Sequence, residues 1–195
     1  MKLPQNKYFG CRHLCGSKQD ILDIQTFTVN HPETGRGLEM YLKNQALGDE
    51  RSSLMRTYLV RLKRTKECVG YFSLKAGLVS FNEVETPNTV TFETMPGVEL
   101  ANFAINSTFA QKHNVKGLGY LLFSRLIAPF VQEHAKTLGI CMIYLFALPY
   151  ERLIKTYESY GFCRLPSKAE EQLHQRLKPA YDASCIFMCQ LLNDM

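Results

Sequence analysis

A glycine-containing loop between a predicted strand and a predicted helix constrains the fold of this chain more than any other feature. Residues 98–105 predict a strand, residues 106–116 a loop, and a helix is expected to open at Gly117. The loop ends in Asn114-x-x-Gly117-x-Gly119. Because glycine tolerates unusual backbone angles and the first turn of a helix has unpaired N–H groups, the pattern predicts a cradle for a phosphate or diphosphate. An ordinary tight turn is the alternative.

A second strand and helix follow this loop. Residues 141–148 form an uninterrupted apolar run of strand length. Residues 149–162 predict a helix that begins at a proline and is stopped by Gly161. The order is therefore strand, glycine loop, helix, strand, helix, and then the pair Gly161-Phe162.

This order resembles the GNAT superfamily of acyl-coenzyme A transferases. In that family the loop usually carries Gln or Arg followed by x-x-Gly-x-Gly or Ala, and a tyrosine stands four residues before the glycine of a closing Gly-Phe pair. Here Gly117 and Gly119 match the loop, Tyr157 and Gly161 match the closing motif, and Asn114 replaces the usual Gln or Arg.

The resemblance implies an α/β (α+β) fold in a single GNAT domain over residues 1–195. Its sheet would be mixed and mostly antiparallel, with a splayed parallel strand pair and helices on both faces. Acetyl-CoA would be the cosubstrate. The residues that the resemblance assigns to the cofactor are Phe103, Ala104 and Ile105 along the strand edge, and Asn114, Lys116, Gly117, Leu118, Gly119 and Tyr120 in the loop.

The resemblance also makes Tyr157 the candidate proton donor. A phenol with a pKa near 10 stays protonated at neutral pH and can protonate a departing thiolate, whose pKa is about 8.5. The alternative is that Tyr157 only packs at the end of its helix, as is expected of Tyr160.

Glu99 is a weak candidate for a general base. A site without a strong base favours an α-amine acceptor, because deprotonating a lysine at neutral pH costs about 3.7 kcal/mol more.

The first half of the chain is similar to bacterial toxin-type GNAT enzymes, which acetylate the α-amine of aminoacyl-tRNA and are neutralised by a small antitoxin. The similarity is carried by Arg56-Thr57-Tyr58, by residues 70–74 and by residues 38–42. The Cys-Gly pair that precedes the helix in those enzymes is missing, and residues 30–37 stand in its place. An aminoacyl-tRNA acceptor and an antitoxin are therefore expected partners. The alternatives are an acetyltransferase for small-molecule or protein amines and a non-catalytic acyl-CoA sensor, and a homodimer is also left open.

Charge in the hairpin predicted at residues 55–77 is compatible with a tRNA partner. Between Arg51 and Lys66 there are six basic residues and no acidic one, enough for several phosphate contacts. A solvated basic hairpin is the alternative.

Composition limits the remaining classes. The chain has 195 residues, is 46% hydrophobic and carries a net charge of +5, which suits one domain with a substantial core. No apolar run has the length of a membrane span and the N-terminus lacks the core of a signal peptide, so a cytoplasmic location is expected. Seven scattered cysteines do not indicate a disulfide framework. Cys11, His13 and Cys15 lack a second ligand pair, so no metal is expected.

Further elements are predicted from apolar periodicity and turn residues. They are an arm of little order over residues 1–16, a strand over 21–29, a turn-rich connector over 30–37, a short helix ending near Gly48, an irregular segment over 78–96, a helix kinked at Pro129, a helix over 167–177 and a closing strand over 185–192.

Overall fold

A computed structural model describes residues 3–30, 35–86, 89–177, 179 and 182–192, and for residues 81–93 it describes the backbone only. Seven strands form one mixed sheet in the order β1-β2-β3-β4-β5-β7-β6. The strands are β1 Phe9–His13, β2 Arg56–Leu62, β3 Cys68–Thr86, β4 Thr89–Ile105, β5 Met142–Ala147, β6 Cys163–Arg164 and β7 Ile186–Leu191.

Eight α-helices and one π-helical turn accompany the sheet in the described residues. They are α1 Lys18–Thr26, α2 Gly35–Asn44, α3 Ala46–Arg51, α4 Ser107–Lys112, α5 Leu118–Leu122, the π-helical turn Phe123–Ile127, α6 Ala128–Leu138, α7 Glu151–Ser159 and α8 Ser167–Arg176. None of the helices in this part of the chain is long and apolar enough to cross a bilayer.

Chain contacts divide the molecule into two compact units, residues 1–75 with 100–130 and residues 76–99 with 131–195. In the first unit, β1 and β2 pair antiparallel, and β2 pairs antiparallel with the start of β3. Its core is apolar and draws on helices and strands alike: Leu14, Ile24, Phe27, Tyr41, Leu42, Ala46, Leu59, Cys68, Tyr71 and Ala104.

In the second unit, β4 and β5 run parallel, while β5 and β6 each pair antiparallel with β7. The predicted parallel strand pair is therefore confirmed. The core of this unit contains Val79, Met142, Tyr144, Leu173 and Phe187.

The prediction that residues 1–16 form an arm of little order is wrong, because residues 9–13 form strand β1. Phe9 and Cys11 alternate with more exposed neighbours and are buried, and Leu14 joins the core. Burial of one face against β2 gives this short segment a reason to be a strand.

Residues 21–29 were predicted to be a strand, but helix α1 occupies most of them. The helix begins with a capping box, in which Ser17 Oγ accepts from Asp20 N–H at 3.2 Å and Asp20 Oδ2 accepts from Ser17 N–H at 3.2 Å. The cap favours a helix over a strand, a choice that the apolar spacing alone leaves open.

The predicted irregular segment over residues 78–96 is also wrong, because β3 continues to Thr86 and β4 begins at Thr89. Residues 87 and 88 of this segment lie outside the described residues, as do residues 31–34 of the predicted connector.

The helix predicted after Gly117 is present and runs without a gap from α5 through the π-helical turn into α6. Ala128 N–H donates to Phe123 O, which is the wider hydrogen bond of a π turn. Pro129 follows at once. Because its ring crowds the carbonyl one turn earlier, a wider turn at this point relieves the clash.

Candidate active site

The segment after β4 is fixed by Asn106, which is buried. Its side-chain oxygen caps α4 by accepting from Thr108 N–H at 3.2 Å, and its Nδ2 donates to Cys68 O at 3.0 Å. Its own N–H donates to Val69 O at 2.9 Å. Residues 106–116, predicted to be a loop, therefore contain a short helix anchored to β3.

Two left-handed residues shape the turn between α4 and α5. Asn114 has φ +47° and Gly117 has φ +72°. Asparagine tolerates this conformation better than most residues with a side chain, which gives a backbone reason for Asn114 where the resembling family usually has Gln or Arg. A Cβ on Gly117 would meet nothing within 4 Å, so the backbone angle alone accounts for the glycine.

The start of α5 presents main-chain donors. The helix begins its hydrogen bonding with Leu121 N–H, which donates to Gly117 O at 3.1 Å. The amides of Leu118 and Gly119 come one turn too early to have a carbonyl within the helix. Leu118 is buried and anchors this turn, while Lys116 and Gly117 are exposed. Residues 116–120 thus contain the start of α5, and their role in binding a cofactor stays a prediction.

The strand edge predicted to contact the cofactor shows two orientations of the main chain. Asn106 N–H bonds to β3, and the carbonyl oxygen of Ala104 would lie 2.6 Å from a Cβ on Gly70 of β3. Because successive residues of a strand direct their N–H and C=O groups to opposite sides, those of Phe103 and Ile105 point away from β3. Of the three predicted residues, these two have the orientation that a ligand on the far edge requires.

The parallel ladder between β4 and β5 is short in the described residues. It joins Gly97 to Met142, Val98 to Ile143 and Glu99 to Tyr144, although β4 continues to Ile105 and β5 to Ala147. If β4 and β5 splay apart as predicted, their hydrogen bonding must end before the strands do, and a short ladder is consistent with this.

Tyr144 is a buried residue that the sequence pattern alone did not single out. Two glycines make room for its ring, since a Cβ on Gly77 would lie 1.9 Å from the phenol oxygen and one on Gly97 would lie 3.0 Å from Cδ1. Burial raises the pKa of Tyr144, and the neighbouring Glu99 carboxylate raises it further. Gly77 and Gly97 were the only sign in the sequence that a large side chain needs space here. That this side chain is Tyr144 could not be known before the strands were paired.

Tyr157 lies in the last turn of α7 and is half-buried. Its ring meets those of Tyr160 and Phe162 edge-on, with centroids 5.9 Å and 5.8 Å away. Gly161 ends the helix with φ +94°, and Phe162 N–H then donates to Tyr157 O at 3.1 Å. The closing motif predicted from sequence thus holds the candidate proton donor in one defined place. Burial raises the pKa of Tyr160.

The predicted basic surface of the hairpin loses two of its six cations to carboxylates from outside the segment. Arg61 is buried, and its Nε donates to Asp23 at 2.6 Å while an Nη donates to Asp20 at 2.7 Å. Arg56 is paired with Glu50 at 2.9 Å. The exposed basic residues that remain are Arg51, Lys63, Arg64 and Lys66.

The Arg61 site also shifts a titration. Burial by itself raises the pKa of Asp20, but hydrogen bonds from Arg61, Cys15 and Ser17 outweigh this effect and lower the pKa to about 2. Asp20 therefore stays ionised in the fold, as a buried partner of Arg61 must.

The three segments similar to toxin-type enzymes contact one another inside the first unit. Thr57 and Ser73 share a buried hydrogen bond of 2.9 Å, Tyr58 stacks on Phe72 at 4.8 Å, and Tyr71 Oη donates to Leu38 O at 2.7 Å. Their shared pattern is explained by packing.

The cysteine and histidine residues near the N-terminus are used separately. Cys11 is buried, His13 packs edge-on against Tyr58 at 4.6 Å, and Cys15 Sγ donates to Asp20 at 3.2 Å. The described residues contain no group of three or more His, Cys, Asp or Glu side chains that could hold a metal ion.

Comparison with known proteins identifies the fold. No protein-family model and no curated protein sequence matches the chain. A mutant of the toxin AtaT matches with a TM-score of 0.67 at 15% identity, covering 99% of this chain and 94% of that chain. AtaTR bound with acetyl-CoA matches with a TM-score of 0.67 at 17% identity, covering 97% and 96%. AtaT complexed with acetyl-methionyl-tRNAfMet matches with a TM-score of 0.62 at 17% identity, covering 92% and 93%.

Of these structural neighbours, AtaT is described as a toxin. At such low identity the likeness shows the fold alone, and the predicted α/β fold with a mixed sheet and a parallel strand pair is confirmed.

Proposed function

We propose that this chain is an N-acetyltransferase that moves the acetyl group of acetyl-CoA to a primary amine. The observation that carries the proposal is the left-handed turn at Gly117, which places the first amides of α5 at an exposed helix start. The similar fold of AtaTR bound with acetyl-CoA supports the choice of cosubstrate.

Main-chain groups of the first unit would bind the cosubstrate. The amides of Gly117, Leu118 and Gly119 would donate to the diphosphate, and the exposed Lys116 ammonium would add positive charge. The outward N–H and C=O groups of Phe103 and Ile105 would pair with the amides of the pantetheine arm. Because these contacts come from the main chain, they depend on backbone angles more than on side-chain identity.

The reaction would be a direct attack with both reactants bound. The amine nitrogen attacks the thioester carbonyl carbon, the C–S bond breaks, and the departing thiolate takes the proton of the Tyr157 phenol. The new amide nitrogen gives up its extra proton to water, and the phenolate regains a proton from solvent. Tyr157 suits this role because its ring is held between those of Tyr160 and Phe162.

The acceptor that we propose is the α-amine of an aminoacyl-tRNA, with an antitoxin as a second partner and the cytoplasm as the location. The fold is shared with AtaT complexed with acetyl-methionyl-tRNAfMet and with AtaT bound to a segment of the antitoxin AtaR. An α-amine needs little help to lose its proton near neutral pH. Four exposed cations, Arg51, Lys63, Arg64 and Lys66, remain available for phosphate contacts.

The test is to incubate the chain with acetyl-CoA and a pool of aminoacyl-tRNAs, and then to release and identify the acetylated aminoacyl adenosine by mass spectrometry. We expect acetylation of at least one aminoacyl-tRNA and a rate that falls as salt rises. Free lysine, a polyamine and a lysine-containing peptide serve as competing acceptors.

The outcomes separate the two parts of the proposal. Product on free amines alone would overturn the tRNA acceptor and leave the transferase standing. Binding of acetyl-CoA without product on any acceptor would indicate a sensor. Failure to bind acetyl-CoA would overturn the proposal as a whole.

A further inference from the structure

Two cysteines of the second unit lie directly opposite each other on neighbouring strands. In the antiparallel pair of β6 and β7, Cys163 is the register partner of Cys189. Residues at directly opposed positions point to the same face of a sheet, with Cβ atoms about 4.5–5.5 Å apart. Cys163 and Cys189 are therefore neighbours on one face.

The type of pairing can be deduced from the other edge of β7. Leu192 N–H donates to the carbonyl oxygen of Cys141, the residue just before β5. Residues 192, 190 and 188 therefore direct their main-chain groups toward β5. Cys189 then directs its main chain toward β6 and forms a hydrogen-bonded pair with Cys163. Such pairs have Cα atoms about 5.5 Å apart, which lies inside the range of about 4.4–6.8 Å that a disulfide spans.

The two thiols differ in access. Cys163 is exposed, while Cys189 is half-buried beside the apolar core of the second unit. Burial raises the pKa of Cys189 to about 11, and the nearby Cys163 contributes to the rise. Cys163 is thus the thiol that an external reagent meets first, and Cys189 is placed to react second.

We infer that Cys163 and Cys189 form a reversible disulfide when the chain meets a low-molecular-weight disulfide, so that this strand pair is a redox-modification site. The Cys163 thiolate attacks one sulfur of the reagent, whose S–S bond breaks and releases one thiol. Cys189 then loses its proton and attacks the Cys163 sulfur, which releases the second thiol. Two protein thiols are oxidised and one reagent disulfide is reduced to two thiols.

The bond should be easy to reduce again. At a hydrogen-bonded strand pair the Cβ atoms stand farther apart than the preferred separation of about 3.8 Å in a disulfide, and one of the two sulfurs is exposed. Strained and exposed disulfides have the more oxidising potentials. Dithiothreitol at low concentration should therefore restore both thiols without unfolding the protein.

The test treats the folded 195-residue chain with glutathione disulfide, alkylates the remaining thiols and measures the intact mass. We expect the loss of two hydrogen atoms, two fewer alkylated thiols, and a peptide that links Cys163 to Cys189. None of these three readouts depends on acetyl transfer, so the result is independent of the proposed function.

Four variants complete the experiment. Cys163→Ser should abolish the bond, and Cys189→Ser should stop the reaction at a glutathione adduct on Cys163. Cys15→Ser, the control, removes another exposed cysteine and should leave the bond unchanged. A wild-type chain that keeps glutathione on Cys163 while Cys189 can still be alkylated would overturn the inference. So would a disulfide between any other two cysteines. Cys189→Ala provides the same readout if the serine variant fails to fold.

Discussion

The start of α5 and the end of α7 are built in opposite ways. At α5 the candidate groups belong to the main chain, and what the sequence must provide is a backbone angle, φ +72° at Gly117. At α7 the candidate group is the phenol of Tyr157, and what the sequence must provide is packing against Tyr160 and Phe162. Substitutions of Gly117 should therefore affect cosubstrate binding, and substitutions of Tyr157 should affect turnover.

The largest effect is expected from Tyr157→Phe. Loss of a general acid lowers turnover by about 100- to 10,000-fold, while the phenylalanine ring keeps the edge-on contacts. Steady-state kinetics should show a fall in kcat with little change in the binding of acetyl-CoA. Tyr160→Phe is the matched control and should stay active. Equal losses in the two variants would show that the Tyr157 hydroxyl has no specific role in turnover.

Arg61→Met should affect stability and leave the chemistry of folded molecules intact. It strands Asp20 and Asp23 as buried carboxylates without their cation, a loss of roughly 3–5 kcal/mol in the free energy of unfolding. Urea denaturation measures it. Arg56→Met removes the more exposed pair with Glu50 and should cost only about 0–1 kcal/mol. If the two variants lose the same stability, Arg61 is not the buried partner that the structure indicates.

Gly117→Ala should weaken acetyl-CoA binding and spare the fold. A residue with a Cβ at φ +72° costs about 1–2 kcal/mol, so relaxation of the turn should lower affinity by about 5- to 30-fold. Isothermal titration calorimetry measures the change. Gly48→Ala is the control, because its added Cβ also meets nothing within 4 Å and its φ is not positive. Unchanged affinity for Gly117→Ala would show that the turn angle is irrelevant to binding.

The smallest effect is a dependence of stability on acid pH. The pKa of Asp20 is lowered from 3.8 to about 2 in the folded chain, so its stabilising contribution is complete above pH 3.8 and is lost as the pH falls toward 2. Urea denaturation between pH 5 and pH 2, at about one-unit steps, should show a decline that is shallower in Asp20→Asn. The same slope in both chains would assign the decline to other carboxylates.

Signals confined to a short stretch were sufficient for much of the fold. Gly117 and Gly161 were predicted to open and to end helices, and both do so with positive φ. The apolar run at residues 141–148 was predicted as a strand and contains β5. In each case the secondary structure is determined by a backbone requirement or an apolar run within the segment itself.

Features that depend on distant partners could not be predicted. The cations of residues 51–66 were counted as one surface, but Arg61 is bound by carboxylates 38 and 41 positions away in sequence. Strand β1 was missed because it exists only through its pairing with β2, and Tyr144 because its space is made by Gly77 and Gly97. Residues 21–29 were predicted to be a strand although a local signal for a helix, the capping box at Ser17, stands just before them.

The most direct measurement is an amide NMR titration of the folded chain with acetyl-CoA and, in parallel, with S-acetylpantetheine, which lacks the diphosphate. We predict that acetyl-CoA shifts the N–H signals of Gly117, Leu118 and Gly119 strongly, and that S-acetylpantetheine leaves them in place. Unchanged signals at these three residues with saturating acetyl-CoA, or equal shifts with both ligands, would contradict this prediction.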